Sequence, residues 1–320
     1  MHTFHAIFRN KILRELFEIL KETYLGWLRS NATLLAAALS YYTIFSLTPL
    51  LVAAVSVSGL VFSESAVIQR LVQEVAIMIG PSAAQAVETI LQNNHLVQRN
   101  GRAAIISSIV MLVGASMMFV QLKRAINILW GIAPHPQKGL FVTVRTHFLS
   151  FLMVFVVILM ILGLMILSTL LVYLNQMLAP AQSEFISKLP RADFGLTVVG
   201  FTLLFAVIFK LLPDARVAWR DVLLGSATTS LLFTIGGFLL GLYLGNVNLY
   251  SVYGAASSVF LLLVWVYYSM QIILFGAKLT QVLANRYGSQ IIPSKAAARI
   301  LQQLEIDRDT QPRVSNHSAE

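Results

Sequence analysis

VLLGSATTSLLFTIGGFLLGLYLGNVNLYSVYGAASSVFLLLVWVYYSMQIILFGA, residues 222–277, runs for 56 residues without one Asp, Glu, Lys or Arg. A helix rises about 1.5 Å per residue and a bilayer core is about 30 Å thick, so one crossing takes roughly 20 mostly apolar residues. This run is long enough for two crossings, and Gly245-Asn246-Val247-Asn248 supplies turn chemistry inside it. Upstream, residues 31–63, 103–121, 146–183 and 194–209 are also free of charge. Their long apolar runs do not show the ten-residue alternation of barrel strands. The expected fold is therefore all-α, a polytopic membrane bundle of six transmembrane helices at about 33–62, 103–129, 146–175, 194–212, 221–244 and 252–284, with amphipathic interfacial helices.

The composition agrees. Of 320 residues, 57% are hydrophobic and only 12% charged, against about 25% in a typical soluble domain. Mean hydropathy is +0.76. The 23 Lys and Arg outnumber the 14 Asp and Glu, a net charge of +9. Such an excess fits a nucleic-acid binder or a membrane protein sorted by its positive loops. Mapped onto the six spans with the N-terminus inside, 18 of the 23 basic residues fall on one side. Basic residues near span ends stay cytoplasmic. Both termini are therefore expected in the cytoplasm, and no nucleic-acid partner is expected. The first 29 residues mix acids and bases, so no cleavable signal is expected. With no cysteine, disulfides and thiolate chemistry are excluded.

Three regions lie outside the expected spans: residues 1–30 and 286–320 flank the six-helix domain of residues 31–285, and 63–102 is an outside segment within it. Residues 1–30 form an amphipathic segment in which Phe4, Phe8, Ile12, Leu16, Leu20, Tyr24 and Leu28 recur every fourth position. Leu13, Phe17 and Trp27 widen the stripe. Such a helix either lies in the headgroup plane or packs on the other helices. The segment 63–102 reads as two short helices broken at Gly80-Pro81, lying on the outer surface or covering the bundle end. Residues 286–320 form a cytoplasmic tail, polar and partly disordered beyond about residue 303.

Catalytic parts are not visible. The six histidines make no pattern of metal-ligand spacing. There is no phosphate-binding glycine loop and no nucleophile elbow. No catalytic residue, cofactor or metal is expected, and the chain is not expected to be an enzyme. A membrane enzyme would need converging titratable groups, and Asp214, Asp221 and Lys278 are the positions to vary in asking for them. No carboxylate sits at the centre of any expected span, which argues against proton coupling. The spans instead carry uncharged polarity: Tyr41, Tyr42, Ser46, Thr48 and Pro49 in the first, and Tyr267, Tyr268 and Gln271 in the last. In lipid such groups face protein or a wet cavity, so these eight residues are candidates to line one. The alternative is interhelical hydrogen bonding without a ligand. Asp214, Arg216, Arg220, Asp221 and Lys278 are candidates for a cytoplasmic gate or for headgroup contacts, although an acid such as Asp221 near a helix start also simply complements the dipole. Gly237, Gly241 and Gly245 are spaced four apart, and with Gly254 they suit close helix packing, within the chain or in a homo-oligomer.

Four segments taken in order resemble the YihY/virulence factor BrkB family. They are Ala38 to Leu50 (ALSYYTIFSLTPL), Arg124 to Gly131 (RAINILWG), Leu212 to Gly225, and Ser251 through Ser269 to Thr280. The resemblance covers residues 38–280. It implies a six-helix bacterial inner-membrane protein without a settled activity. Members have been labelled ribonuclease BN, a label regarded as a misassignment; others are linked to serum resistance and to the handling of envelope lipid or lipopolysaccharide. The family often has Glu where this chain has Lys278, so a coupled-cation role for that acid does not carry over. The expectation is a transporter or flippase-like handler of a lipid or other amphiphile, with membrane lipids as partners. The alternative is a structural or scaffolding membrane protein of the envelope.

Overall fold

A computed structural model describes the backbone of residues 2–59, 62–78, 81–94, 101–134, 140–178, 189–246, 257–288, 291–293 and 297–299. Among these residues there are nine helices: α1 (His2–Arg29), α2 (Ala32–Ser58), α3 (Glu64–Met78), α4 (Pro81–Asn94), α5 (Gly101–Leu129), α6 (Leu140–Leu178), α7 (Leu189–Leu211), α8 (Trp219–Asn246) and α9 (Ser257–Tyr287). Four short strands join them: β1 (Ile132–Pro134), β2 (Ala215–Arg216), β3 (Ile292–Pro293) and β4 (Ala297–Arg299). Antiparallel pairs form between β1 and β4 and between β2 and β3. Thus residues just beyond α9 return to the loops that follow α5 and α7. These ribbons are too short to show periodicity in the sequence.

The chain is an all-α membrane protein. Among the described residues, Ala32–Ser58, Trp219–Tyr243 and Val259–Tyr287 are long and apolar enough to cross a bilayer, and shorter apolar helical stretches occupy Phe148–Met160 and Thr197–Leu211. The outward surface is apolar as well. On α8, Leu231, Ile235, Phe238, Leu239 and Leu242 are all exposed, Phe238 to 67%. A row of this kind costs little only against lipid.

Packing inside the bundle follows from small residues and aromatic rings. Lipid tails are as apolar as leucine, so helix association depends on close contact rather than on a hydrophobic drive. The contact between α8 and α9 is reciprocal. A Cβ on Gly225 would stand 2.0 Å from Thr280 Oγ1, and one on Gly276 would stand 1.9 Å from Thr229 Oγ1. Each threonine hydroxyl donates to the carbonyl of the glycine four residues before it in its own helix, at 2.6 Å for Thr229 and 2.9 Å for Thr280. Beside this contact, Phe233 of α8 meets Phe201 and Phe205 of α7 and Trp265 of α9, with ring centroids 4.9, 5.5 and 6.1 Å apart.

The first span is interrupted chemically but not in its helix. Pro49 lies inside α2, and its ring rests on Gly114 of α5, where a Cβ would be 3.4 Å from Pro49 Cγ. The chain passes from α1 to α2 through Asn31, at φ 50 and ψ 40. Asparagine tolerates this left-handed conformation better than most residues.

The N-terminal segment forms α1, which packs on α9 along one side. Ile19 of α1 is buried with Leu279 and Val282 of α9, while Leu16, Phe17, Leu20, Tyr24 and Leu28 of the periodic stripe remain exposed. The 63–102 segment forms α3 and α4, and Val67, Val87 and Leu91 are buried with Val52 and Val55 of α2. They cover that end of the bundle. The tail beyond residue 299 lies outside the described residues.

Candidate functional site

Polar groups concentrate where α1, the end of α5, the start of α8 and the end of α9 come together. The last turn of α5 leaves backbone carbonyls without helical partners. Three side chains tie this turn to α9. Lys278 donates from Nζ to the carbonyl of Leu129 at 3.0 Å and to Gln281 Oε1 at 2.7 Å. Gln281 Nε2 donates to the carbonyl of Trp130 at 3.0 Å. In return, Trp130 Nε1 donates to the carbonyl of Ala277 at 2.8 Å. A cation at a helix C-terminus also complements the dipole. Gly131, at φ 70, then turns the chain away.

A second knot joins α5 to the loop between α7 and α8. Lys123 Nζ lies 2.8 Å from Asp214 Oδ1, and the lysine side chain is only 7% exposed. One turn further along α5, Asn127 donates from Nδ2 to Asp214 Oδ2 and accepts from the Asp214 backbone N–H, both at 3.0 Å. Asp214 is therefore held by two side chains spaced i, i+4. Close by in sequence, Lys210 places its ammonium 5.3 Å from the ring centroid of Trp219 and donates to the carbonyl of Val217.

A third set links α1 to the end of α9. Arg286 lies 3.6 Å from Glu18 and 3.3 Å from Glu22, and Tyr287 Oη donates to Glu15 Oε1 at 2.5 Å. Between the two helices is a cavity of about 360 Å³ lined by Glu22, Gly26, Arg29, Lys278, Gln281 and Asn285 among others. Gly26 makes it possible for Lys278 to lie there, because a Cβ at that position would come within 2.3 Å of Lys278 Cε.

The expected gate residues thus separate. Asp214 and Lys278 are built into polar knots. Asp221 is buried in the first turn of α8 and lies against Gly288, where a Cβ would be 2.1 Å from Asp221 Oδ2. Arg216 pairs through its backbone with Ile292 in the β2–β3 ribbon, and its side chain, like that of Arg220, is exposed.

The expected cavity-lining residues also separate. Tyr41 is 60% exposed, with its ring 4.7 Å from that of Phe45. Ser46 is buried and donates to the carbonyl of Tyr42 at 2.5 Å, within its own helix. Tyr42 and Thr48 are half-buried, and Pro49 packs on Gly114. Tyr267 is exposed, whereas Tyr268 sets its hydroxyl against Gly236, 1.7 Å from where a Cβ would be. Gln271 Oε1 is buried and accepts no hydrogen bond among the described residues.

Among the described residues a Cβ on Gly237 would meet nothing within 4 Å, whereas the close approaches of α8 to α9 are at Gly225 and Gly236. Gly241 and Gly245 lie in the outer part of α8, and Gly254 is outside the described residues. Sequence reasoning passed over Lys123, Asn127 and Gln281. Asn127 lies in the segment quoted for the family resemblance, and Gln281 three residues after Lys278 was the available hint of a paired cap. Among the described residues no group of three His, Cys, Asp or Glu is placed to hold a metal ion.

The virulence factor BrkB family model matches residues 23–301. The chain belongs to this family. Similar members include a UPF0761 membrane protein of Alkalilimnicola ehrlichii, 30% identical over 78% of this chain and 54% of that one. A UPF0761 membrane protein of Pseudomonas aeruginosa is 28% identical over 76% of this chain and 57% of its own length. One from Coxiella burnetii is 30% identical over 78% of this chain and 87% of its own. This chain therefore spans little more than half the length of the first two relatives, but most of the third. No solved structure matches. The BrkB family match covers the first two knots whole, and of the third it includes Arg286 and Tyr287 but begins just after Glu15, Glu18 and Glu22.

Proposed function

We propose that this BrkB-family protein crosses the bacterial inner membrane six times with both termini in the cytoplasm, and moves or accommodates an amphiphile such as a lipid. Eighteen of its 23 basic residues fall on one side in that arrangement. The three polar knots then lie at the cytoplasmic end.

The observation that carries the amphiphile reading is Gln271 Oε1. An amide acceptor buried without a partner costs about 1–3 kcal/mol, and it lies near the midpoint of α9. Ser226 Oγ, in the first third of α8, and Ser58 Oγ, at the far end of α2, are likewise buried without a partner among the described residues. Such groups offer hydrogen bonds at successive depths to a headgroup in transit. No carboxylate accompanies them, so the path suits flipping or passive passage rather than proton coupling.

Reconstituted liposomes with labelled phospholipids test this reading. Movement above protein-free vesicles supports it; none across several lipid classes sinks it. A scaffolding role is the second reading. It is favoured by hydroxyls such as Ser46, Thr229 and Thr280, which donate to carbonyls of their own helices and so are already satisfied.

A further inference from the structure

We infer that the cavity between α1 and α9 binds a phosphate-ester anion, and that its natural occupant is the headgroup of an anionic membrane lipid. The inference does not rest on amphiphile movement, since a resident lipid would bind equally to a protein that transports nothing.

The lining carries two cations and one carboxylate, from Arg29, Lys278 and Glu22. Glu22 is already shared with Arg286 at 3.3 Å, and its charge also reaches Lys278 without a salt-bridge contact. Neither lining cation has a carboxylate in salt-bridge contact among the described residues. Lys278 gives two of its three ammonium protons to neutral acceptors, Leu129 O and Gln281 Oε1. The third remains for a ligand. Those two bonds also hold the ammonium in place, and the missing side chain at Gly26 leaves room for its stem. A held ammonium and a guanidinium lining one cavity are the pairing that phosphate oxygens recognise. Asn285 adds an amide donor: its Oδ1 is taken by the Ile291 N–H at 3.4 Å, leaving Nδ2.

Size and position point to lipid. At about 360 Å³ the cavity lies at the small end of ligand pockets, enough for a phosphate with its glycerol. Leu25 and Val282 line its apolar side. The same α1 helix exposes Leu16, Phe17, Leu20, Tyr24 and Leu28 on another face. A helix of this kind lies at headgroup depth, where a lipid phosphate can enter from the side.

The test uses the full chain in detergent, titrated with phosphatidylglycerol and with phosphatidylcholine and read by native mass spectrometry. Phosphatidylglycerol is expected to bind in preference. Arg29→Gln should weaken it roughly fivefold. Lys21→Gln, which removes an exposed charge of α1 outside the cavity, should leave binding unchanged. Lys278→Met should weaken it similarly; because that change also frees the end of α5, Arg29→Gln carries the test. Equal binding of both lipids, or equal effects of Arg29→Gln and Lys21→Gln, would overturn the inference. Competition by millimolar glycerol 1-phosphate or inorganic phosphate would show that the same anion site also accepts a soluble phosphate. No competition, with phosphatidylglycerol still preferred, would identify the lipid as the source.

Discussion

Thr280 of α9 fills the space that Gly225 of α8 leaves empty, and Thr229 and Gly276 make the same contact with the roles of the helices exchanged. The contact is backbone-close: a Cβ on Gly225 would also stand 3.0 Å from Thr280 Cα. Gly225→Ala and Gly276→Ala should each cost about 1–3 kcal/mol, the usual penalty for overpacking. Gly237→Ala meets open space and should be neutral or stabilising by up to about 1 kcal/mol, because alanine is the better helix former. Thermal unfolding of the three variants in one detergent checks the ordering. A Gly237→Ala protein less stable than Gly225→Ala would overturn this account of the interface.

Lys278 reads in the sequence as a charge at the end of a span. In the structure it is a cap on α5. Lys278→Met keeps most of the stem but loses the bonds to Leu129 O and Gln281 Oε1, and should cost about 1–3 kcal/mol. Gly26→Ala should lose much of the same energy, since the new methyl takes the place of Lys278 Cε. The two changes should therefore be markedly non-additive. A double-mutant cycle measures this, and strict additivity would mean that Gly26 does not position the lysine.

These cases show what could be read from the chain alone. The spans at α2, α8 and α9 were legible because absence of charge over a bilayer's length has few other causes. The faces of those spans were not. Gly237-x-x-x-Gly241 is the more familiar pattern, but the face α8 turns to α9 is set by what α9 offers in return, Thr280 and Tyr268. The Gly-x-x-x-Thr pair at 225/229 has meaning only beside its counterpart at 276/280. The same holds for Lys278, whose position depends on a missing side chain at Gly26, some 250 residues earlier in the chain. Among the candidate site residues, Asp214 lies just past the end of α7, but its partners Lys123 and Asn127 lie on a helix far away in sequence.

That long-range pairing gives a third prediction. Asp214→Asn removes the carboxylate 2.8 Å from a lysine that is only 7% exposed. Loss of one member of a buried pair typically costs 3–5 kcal/mol. Asp214 is itself 29% exposed, so the cost should be near about 3 kcal/mol. Combining Asp214→Asn with Lys123→Met should recover part of it, because no charge is then left at low exposure. Denaturation midpoints of the single and double variants decide the matter; a double variant less stable than Asp214→Asn alone would mean that the lysine draws its stability from elsewhere.

Gln271 separates stability from function. Its Oε1 is buried and accepts no hydrogen bond among the described residues, so the side chain is a burden to the folded state. Gln271→Met keeps nearly the same length and removes the unsatisfied acceptor. It should leave stability unchanged or raise it by about 1 kcal/mol. If the amide serves a passing headgroup, the same variant should slow lipid movement in liposomes severalfold, while its unfolding temperature holds or rises. A scaffold makes the opposite forecast, in which Gln271→Met is more stable and loses nothing else. Paired unfolding and lipid-movement measurements on this one variant therefore distinguish the two readings. A variant that is destabilised would instead show that Gln271 has a structural partner in the membrane.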